Sequence, residues 1–299
     1  MQHRFIKDGE GRSKKRFSTA MFDSVQDGLR FYEAACKNES LAQRDFIVSF
    51  NSELKHDEDW TGCKTPEEFA KRIQQGWIDG ADRLMKLPIK EVEPTSIRRI
   101  RYRGEQGDDL DIHRVLRGDL DTAWEYRKRG CRSSVGRHIT IVCNIAANCA
   151  VMASQLFWRG ASALRLAETL ESAGYSIRIV AGMGTRGIDT KGNVNSGYLF
   201  EIKSPEQPVD VANLAAIVCL PGYFRIIGFG MKVWACNTNG LIADSGLGYT
   251  TQEPLERAVS EWYPSDYCIV QSGDVLDQQT AESWIDSTID AIQPQQAAA

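Results

Sequence analysis

The chain has 299 residues, with 36 Lys and Arg against 40 Asp and Glu for a formal net charge of −4, and is long enough to bury one large core or two ordinary ones. The longest apolar runs, Ile139–Cys143 and Ala215–Leu220, fall far short of the roughly 20 residues that cross a bilayer. The basic N-terminus (Arg4, Lys7, Arg12, Lys14, Lys15, Arg16) lacks the apolar stretch of a secretory signal, and a mildly acidic chain makes no global case for nucleic acid, because neutralising phosphates takes clustered cations.

In chain order, residues 1–20 read as a basic flexible arm, polar and without periodicity. A small helical region, 21–95, follows. Ser24 is an N-cap before Val25, Leu29, Phe31 and Tyr32, which recur at helical spacing to about Asn38. Thr65, Pro66 and Glu68 open a second helix carrying Phe69, Ile73 and Trp77 on one face and ending near Gly80 or Leu87. Pro88–Pro94 reads as a linker, so the domain boundary is placed there.

Residues 96–292 read as the main domain. Ile97–Tyr102 is a candidate strand, and Leu110–Arg117 and Leu120–Arg129 read as short helices separated by Gly118 and capped by Asp109 and Asp119. His138–Cys143 is a nearly continuous β-branched run, the pattern of a strand buried on both faces of a parallel sheet. Leu156, Phe157, Ala163, Leu164, Ala167 and Leu170 mark a helix between Cys149 and Ala173, stopped by Gly174. Ser176–Ala181 is again a strand, which completes a right-handed βαβ unit. The fold class expected is therefore α/β, a doubly wound, mostly parallel sheet.

The five-glycine stretch Gly182–Gly197 reads as a loop, and Tyr198–Lys203 as a strand returning antiparallel at a sheet edge. Val209–Leu220 and Pro254–Glu261 read as helices around Gly222–Ala235, an apolar segment without assignment. Asp266–Gln271 is a last strand, expected parallel to 138–143 and 176–181. Gln278–Ile292 is a helix turning Ala281, Trp284, Ile285 and Ile289 inward, and 293–299 is expected to be disordered.

Eight cysteines carry no CxxC pair, and Cys143, Cys149, Cys219 and Cys268 sit among aliphatic residues as small hydrophobes. This points to a reducing compartment, with the cytoplasm (a host's, for a phage-encoded chain) as the expected location. The four histidines, at positions 3, 56, 113 and 138, argue with the missing CxxC against zinc. His113 and His138 have no assured partner and no G-x-S-x-G elbow appears.

Gly182, Gly184 and Gly187 match the G-x-G-x-x-G fingerprint, but no helix follows to receive a pyrophosphate, so the match reads as a hairpin loop. The joint Asn144-Ile145-Ala146-Ala147-Asn148 lies where α/β sheets bind ligands. With the helix after it and the hairpin after the second strand, the order of elements over about 138–290 resembles the von Willebrand factor A fold. In that family a D-x-S-x-S motif at this joint holds a divalent cation, aided by a later threonine and aspartate. The resemblance places Asn144, Ala146 and Asn148 on that motif, Thr250 or Thr251 at the threonine and Asp274 at the aspartate, so any Mg²⁺ or Ca²⁺ is expected to bind weakly. The bland alternative is that Asn148 caps the following helix and Asn144 satisfies turn amides.

Gly107-Asp108-Asp109-Leu110-Asp111 is similar to the G-D-E-L-D lead-in of von Willebrand-type proteins that accompany MoxR-like AAA ATPases. Together with Trp60-Thr61-Gly62 it makes the chain resemble a phage-associated group of such proteins. The resemblance implies a non-enzymatic protein-interaction module whose partner is an AAA ATPase or a second copy. The alternative is a nucleic-acid-binding protein of a phage or plasmid replication or expression system. It would use Arg98, Arg99, Arg101 and Arg103 with Arg127, Lys128, Arg129, Arg132 and Arg137, two clusters separated by Asp108, Asp109 and Asp111. Their bland reading is a solvated or ion-paired face. A metal-dependent phosphoryl enzyme ranks third, because only one carboxylate, Asp274, is in view.

Overall fold

The computed structural model describes residues 2–8, 15–39, 58–92, 99–104, 109–129, 138–148, 150–189, 192–243 and 252–292. The chain opens with β1 (Gln2–Asp8) paired against β2 (Lys15–Phe22). Ser24 Oγ accepts from the amide of Asp27 at 3.1 Å and starts α1 (Val25–Lys37), the role its N-cap position predicts. After α2 (Glu58–Thr61), Thr65 Oγ1 accepts from Glu68 N at 3.1 Å and opens α3 (Pro66–Gln75). The single helix expected to end near Gly80 or Leu87 breaks at Gly76, whose φ of +83° suits glycine, and resumes as α4 (Ile78–Met85).

A small sheet comes next, with β3 (Arg99–Gly104), β4 (Asp109–Leu110), the five-residue α5 (Ile112–Leu116) and β5 (Trp124–Arg129) in the order β3-β5-β4. The helix expected over 120–129 is thus a strand in its second half. Trp124 and Tyr126 alternate with charged residues at period two, and the preference of aromatic residues for a pleated surface wins over a weak helical spacing.

The main unit runs β6 (His138–Asn144), α6 (Ala153–Ser172), β7 (Ser176–Asp189), β8 (Gly192–Lys203), α7 (Val211–Val218) and a π-helical turn at Tyr223–Gly228. It continues with α8 (Phe229–Thr238), β9 (Ile242–Ala243), α9 (Gln252–Trp262), β10 (Tyr267–Val270) and α10 (Gln278–Ile292). The seven-stranded sheet has the order β1-β2-β8-β7-β6-β10, with β9 paired to the end of β7. β10, β6 and β7 are parallel neighbours, as expected, and β8 is antiparallel to β7.

Two expectations are corrected in this sheet. β8 is no edge, because β2 pairs with it in parallel from Phe17↔Asn195 to Phe22↔Phe200, which also draws Phe17, Ser18, Thr19 and Ala20 out of the expected flexible arm and into the core. The stretch 182–197 is no loop, since β7 and β8 run through most of it as one long hairpin. Its glycines serve close packing: a Cβ on Gly197 would lie 2.3 Å from Pro254 O, and one on Gly182 2.5 Å from Leu255 Cδ1. α9 can therefore lie directly on the strands.

Strand alternation divides the core. Ile139, Ile141 and Cys143 face one layer, built from α1, α3, α4, α6, α7, the π turn, α8 and α10, while Val142 faces Leu255, Ala258 and Val259 of α9. The fold is mixed α/β, with the central strands paired mostly in parallel, but its helices are distributed far less evenly than a doubly wound sheet implies. Phe22, Phe69, Leu84 and Val92 share one cluster with Ile141 and Leu164. The expected boundary at Pro88–Pro94 therefore separates no two cores. Among the described residues no single helix is long and apolar enough to cross a membrane; α7 and the Tyr223–Thr238 stretch meet that test only as a pair bent by 55°.

Candidate functional site

The carboxyl end of β6 is the first place to look. Asn144 is buried; its Oδ1 accepts from Ala146 N at 3.0 Å and its Nδ2 donates to Gln271 Oε1 at 2.8 Å. Gln271 donates from its backbone to Asp274 Oδ2 at 2.8 Å and from Nε2 to Glu256 Oε1 at 3.2 Å. This network ties the ends of β6 and β10 together, and it spends Asn144 and Asp274 on the turns they belong to. Asn148 does not cap α6, which begins at Ala153, because its Oδ1 accepts from Ala150 N at 2.9 Å in a local turn. The entry to α6 is held instead by Gln155 Oε1, accepting from Met152 N at 3.0 Å.

Two buried arginines, neither among the residues singled out in the sequence, complete the joint. Arg159 on α6 is 1% exposed; its Nη1 donates to Asn144 O at 2.7 Å and Ala146 O at 2.8 Å, and its Nη2 to Ser272 O at 3.5 Å. Burial lowers its pKa from the ordinary arginine value, partly opposed by Cys143 and Asp274. Arg225 of the π turn donates from Nη2 to Asn148 O at 2.8 Å and Val151 O at 2.7 Å, with its guanidinium 4.3 Å above the Trp60 ring. The only advance signal was a charged residue inside each apolar run.

A divalent cation does not fit this joint. The oxygens that would face it already accept from guanidinium or amide groups, and Arg159 places a fixed positive charge there that would repel a second one. Among the described residues no group of three or more His, Cys, Asp or Glu could hold a metal. Asn144, Asn148 and Asp274, the candidate metal ligands, each accept a backbone amide in a local turn, and Thr250 and Thr251 lie outside the described residues.

Three of the described thiols are also poorly placed as nucleophiles. Burial pushes the Cys143 and Cys268 thiols up to about 12 and Cys63 to about 11, so they stay protonated. His138, at the opposite end of β6, has its pKa lowered by desolvation and then by Arg178, whose Nη1 lies 3.0 Å from His138 Nε2.

The second place is the small sheet. Its register pairs Arg99 with Arg129, Ile100 with Lys128, Arg101 with Arg127, Tyr102 with Tyr126, Arg103 with Glu125 and Gly104 with Trp124. Opposed residues share a face and neighbours along a strand alternate. Positions 99, 101, 103, 127 and 129 consequently form one face occupied by arginine. Lys128 falls on the other face with Ile100, Tyr102, Tyr126 and Trp124. Asp109 pairs with Glu125, so the arginine face ends in two carboxylate residues beside Arg103. The two clusters of the sequence thus meet in one pair of strands, with six of their residues, five of them at positions on one face; Arg98, Arg132 and Arg137 lie outside the described residues.

Fold and sites define a mixed α/β protein with a tightly pinned strand-end joint and an arginine-faced β-ribbon. The chain belongs to the family described as a domain of unknown function, DUF7192, whose model matches residues 10–292. No curated protein matches it, and neither does any solved structure.

Proposed function

We propose that this protein is a non-catalytic nucleic-acid-binding protein that contacts the phosphate backbone through the β3–β5 ribbon. The carrying observation is the register that sets Arg99 opposite Arg129 and Arg101 opposite Arg127. Like charges directly opposite each other in a sheet are destabilising, and a polyanion removes that cost while releasing its own counterions. The overall charge of −4 does not oppose this, because the cations are gathered on one face.

Fluorescence anisotropy with labelled DNA across a salt series tests the reading. Five arginine contacts give a slope of log Kobs against log salt of about −4.5 on a duplex, and Arg99→Ala with Arg101→Ala reduces it to about −2.7. Absence of binding at low salt, or a double variant with the wild-type slope, overturns it.

A second reading is favoured by the strand order β8-β7-β6-β10, with the crossover helix and antiparallel return expected of a von Willebrand-like module. In this reading the strand-end loops receive a protein partner, an AAA ATPase or a second copy. Sedimentation of the wild type against an Asn148→Arg, Asp274→Arg variant tests the second-copy form, and an unchanged monomer in both counts against it.

A further inference from the structure

We propose that the cavity between α1, α3 and the π turn binds a small apolar amine, with the hydrocarbon body inside and the ammonium at the mouth beside Glu33. The cavity measures about 320 Å³, within the roughly 300–1,000 Å³ typical of small-molecule sites. Its apolar walls come from elements far apart in sequence: Leu29 of α1, Phe69 and Ile73 of α3, and Ile226 and Ile227 of the π turn. Its two aromatic residues are seated before any ligand arrives. A Cβ on Gly222 would lie 2.7 Å from Phe69 Cε2, and one on Gly230 2.5 Å from Tyr32 Cδ2, so each ring occupies space that only glycine leaves. Thr65 caps α3, and a contact between Arg72 and Glu68 braces it. π turns are rare and frequently mark functional positions; this one sends Arg225 to Asn148 O and Val151 O of the strand-end joint, and Ile226 and Ile227 to the cavity.

The lining decides the ligand's charge. Among the described residues that line the cavity none is Lys, Arg or His, and Glu33 supplies the single formal charge. Its side chain is 65% exposed, and its contact with Lys37 is 3.7 Å between two exposed side chains, a geometry that contributes little. A cation held against the cavity can therefore take that carboxylate in place of Lys37. The rings of Tyr32 and Phe69 carry negative faces that favour the same sign of charge. Thr61, Thr65 and Gln74 complete the lining with neutral polar groups, and Thr61 Oγ1 is already spent on Cys63 O at 2.9 Å. A carboxylate head would meet Glu33 as a like charge, and a neutral head would gain nothing from it. None of these residues belongs to β3 or β5, so the site does not depend on the nucleic-acid reading.

The full chain is titrated by calorimetry with hexylamine, octylamine, octanol and octanoate, all held below micelle-forming concentrations, and its thermal unfolding is followed with each. Octylamine should bind about fivefold or more tighter than octanoate. Each methylene should tighten the amines about fourfold, which makes octylamine about fifteenfold tighter than hexylamine. At a hundredfold excess over its Kd, octylamine should raise the melting temperature by about 4 °C. Glu33→Gln should weaken octylamine about two- to fivefold and leave octanol unchanged. Ala70→Trp, at an exposed position lining the cavity, should abolish the chain-length dependence, and its own melting curve checks that it is folded; the two ligand series decide on the wild type alone should it not fold. The proposal is overturned by no rise in melting temperature with octylamine, by equal affinity for hexylamine and octylamine, or by octanol or octanoate binding as tightly as octylamine. Wild-type affinity for octylamine in Glu33→Gln or in a folded Ala70→Trp variant overturns it as well.

Discussion

Replacing Arg159 by methionine keeps much of the buried volume and removes the guanidinium. Asn144 O and Ala146 O then lose donors at 2.7 and 2.8 Å in a site closed to water. Each orphaned carbonyl costs about 1–3 kcal/mol, a gross loss of about 2–6 kcal/mol for the pair. Part is offset because a buried charge no longer has to be desolvated, leaving about 3 kcal/mol. A chain of 299 residues unfolds with an entropy of roughly 0.6 kcal/mol/K, so the melting temperature should drop by about 5 °C. Thermal unfolding followed by circular dichroism measures this, and adding Mg²⁺ or EDTA to the wild type supplies the second arm. A ligand that binds only the folded state must raise the melting temperature. An Arg159→Met variant that melts with the wild type, or a wild type stabilised by Mg²⁺, refutes the assignment of Arg159 as the cation of the joint.

Three further outcomes follow from the packing. His138 has its folded pKa lowered below the ordinary 6.5 by burial and by Arg178; the unfolded state therefore binds protons first, and stability is present above pH 6.5 and lost as the pH falls through and below it. Melting curves of His138→Gln should show a shallower acid-side loss, and an identical pH profile would count against the contact. Gly197→Ala forces a methyl to 2.3 Å from Pro254 O and 2.6 Å from Ala258 Cβ, and urea unfolding should record a loss of about 1–3 kcal/mol as α9 is displaced. Cys143, fully buried with its thiol pushed up to about 12, should be alkylated only as fast as the protein opens. Mass spectrometry finding the Cys143 peptide labelled at a free-thiol rate would show that the strand is accessible.

Strands and helices that bury continuous apolar faces were readable. β6 and α10 were placed within a residue of their observed bounds, and the parallel order of β10, β6 and β7 followed from one crossover helix and two β-branched runs. Legibility failed where partners distant in sequence decide the outcome. Lys15–Phe22 shows no strand signal strong enough to compete with its charge, and it becomes a strand because β8, more than 170 residues away, offers an unpaired edge. Gly182 and Gly197 looked like loop residues because glycine has poor strand propensity, and α9 pressing on them explains their place in β7 and β8.

The two candidate sites failed and succeeded for related reasons. A metal site was sought in oxygens, yet the positive charge at the joint is carried by an arginine 15 residues downstream of Asn144, on a helix whose other inward residues are aliphatic, aromatic or small. That substitution makes neutral Asn144 intelligible. With the cation covalently present, the joint needs one group that both donates to Gln271 and accepts from Ala146 N, which an amide does and an ionised carboxylate does not. The basic clusters, by contrast, were visible as composition, but their meaning depended on register. The helix expected at 120–129 would have scattered Arg127 and Arg129 around an axis, whereas β5 turns both to the face of Arg99 and Arg101. A one-residue slip of β5 would place Lys128 there instead and break the aromatic pair Tyr102–Tyr126, so the pairing that gathers the arginine positions on one face is the same pairing that sets the two tyrosines opposite each other on the other.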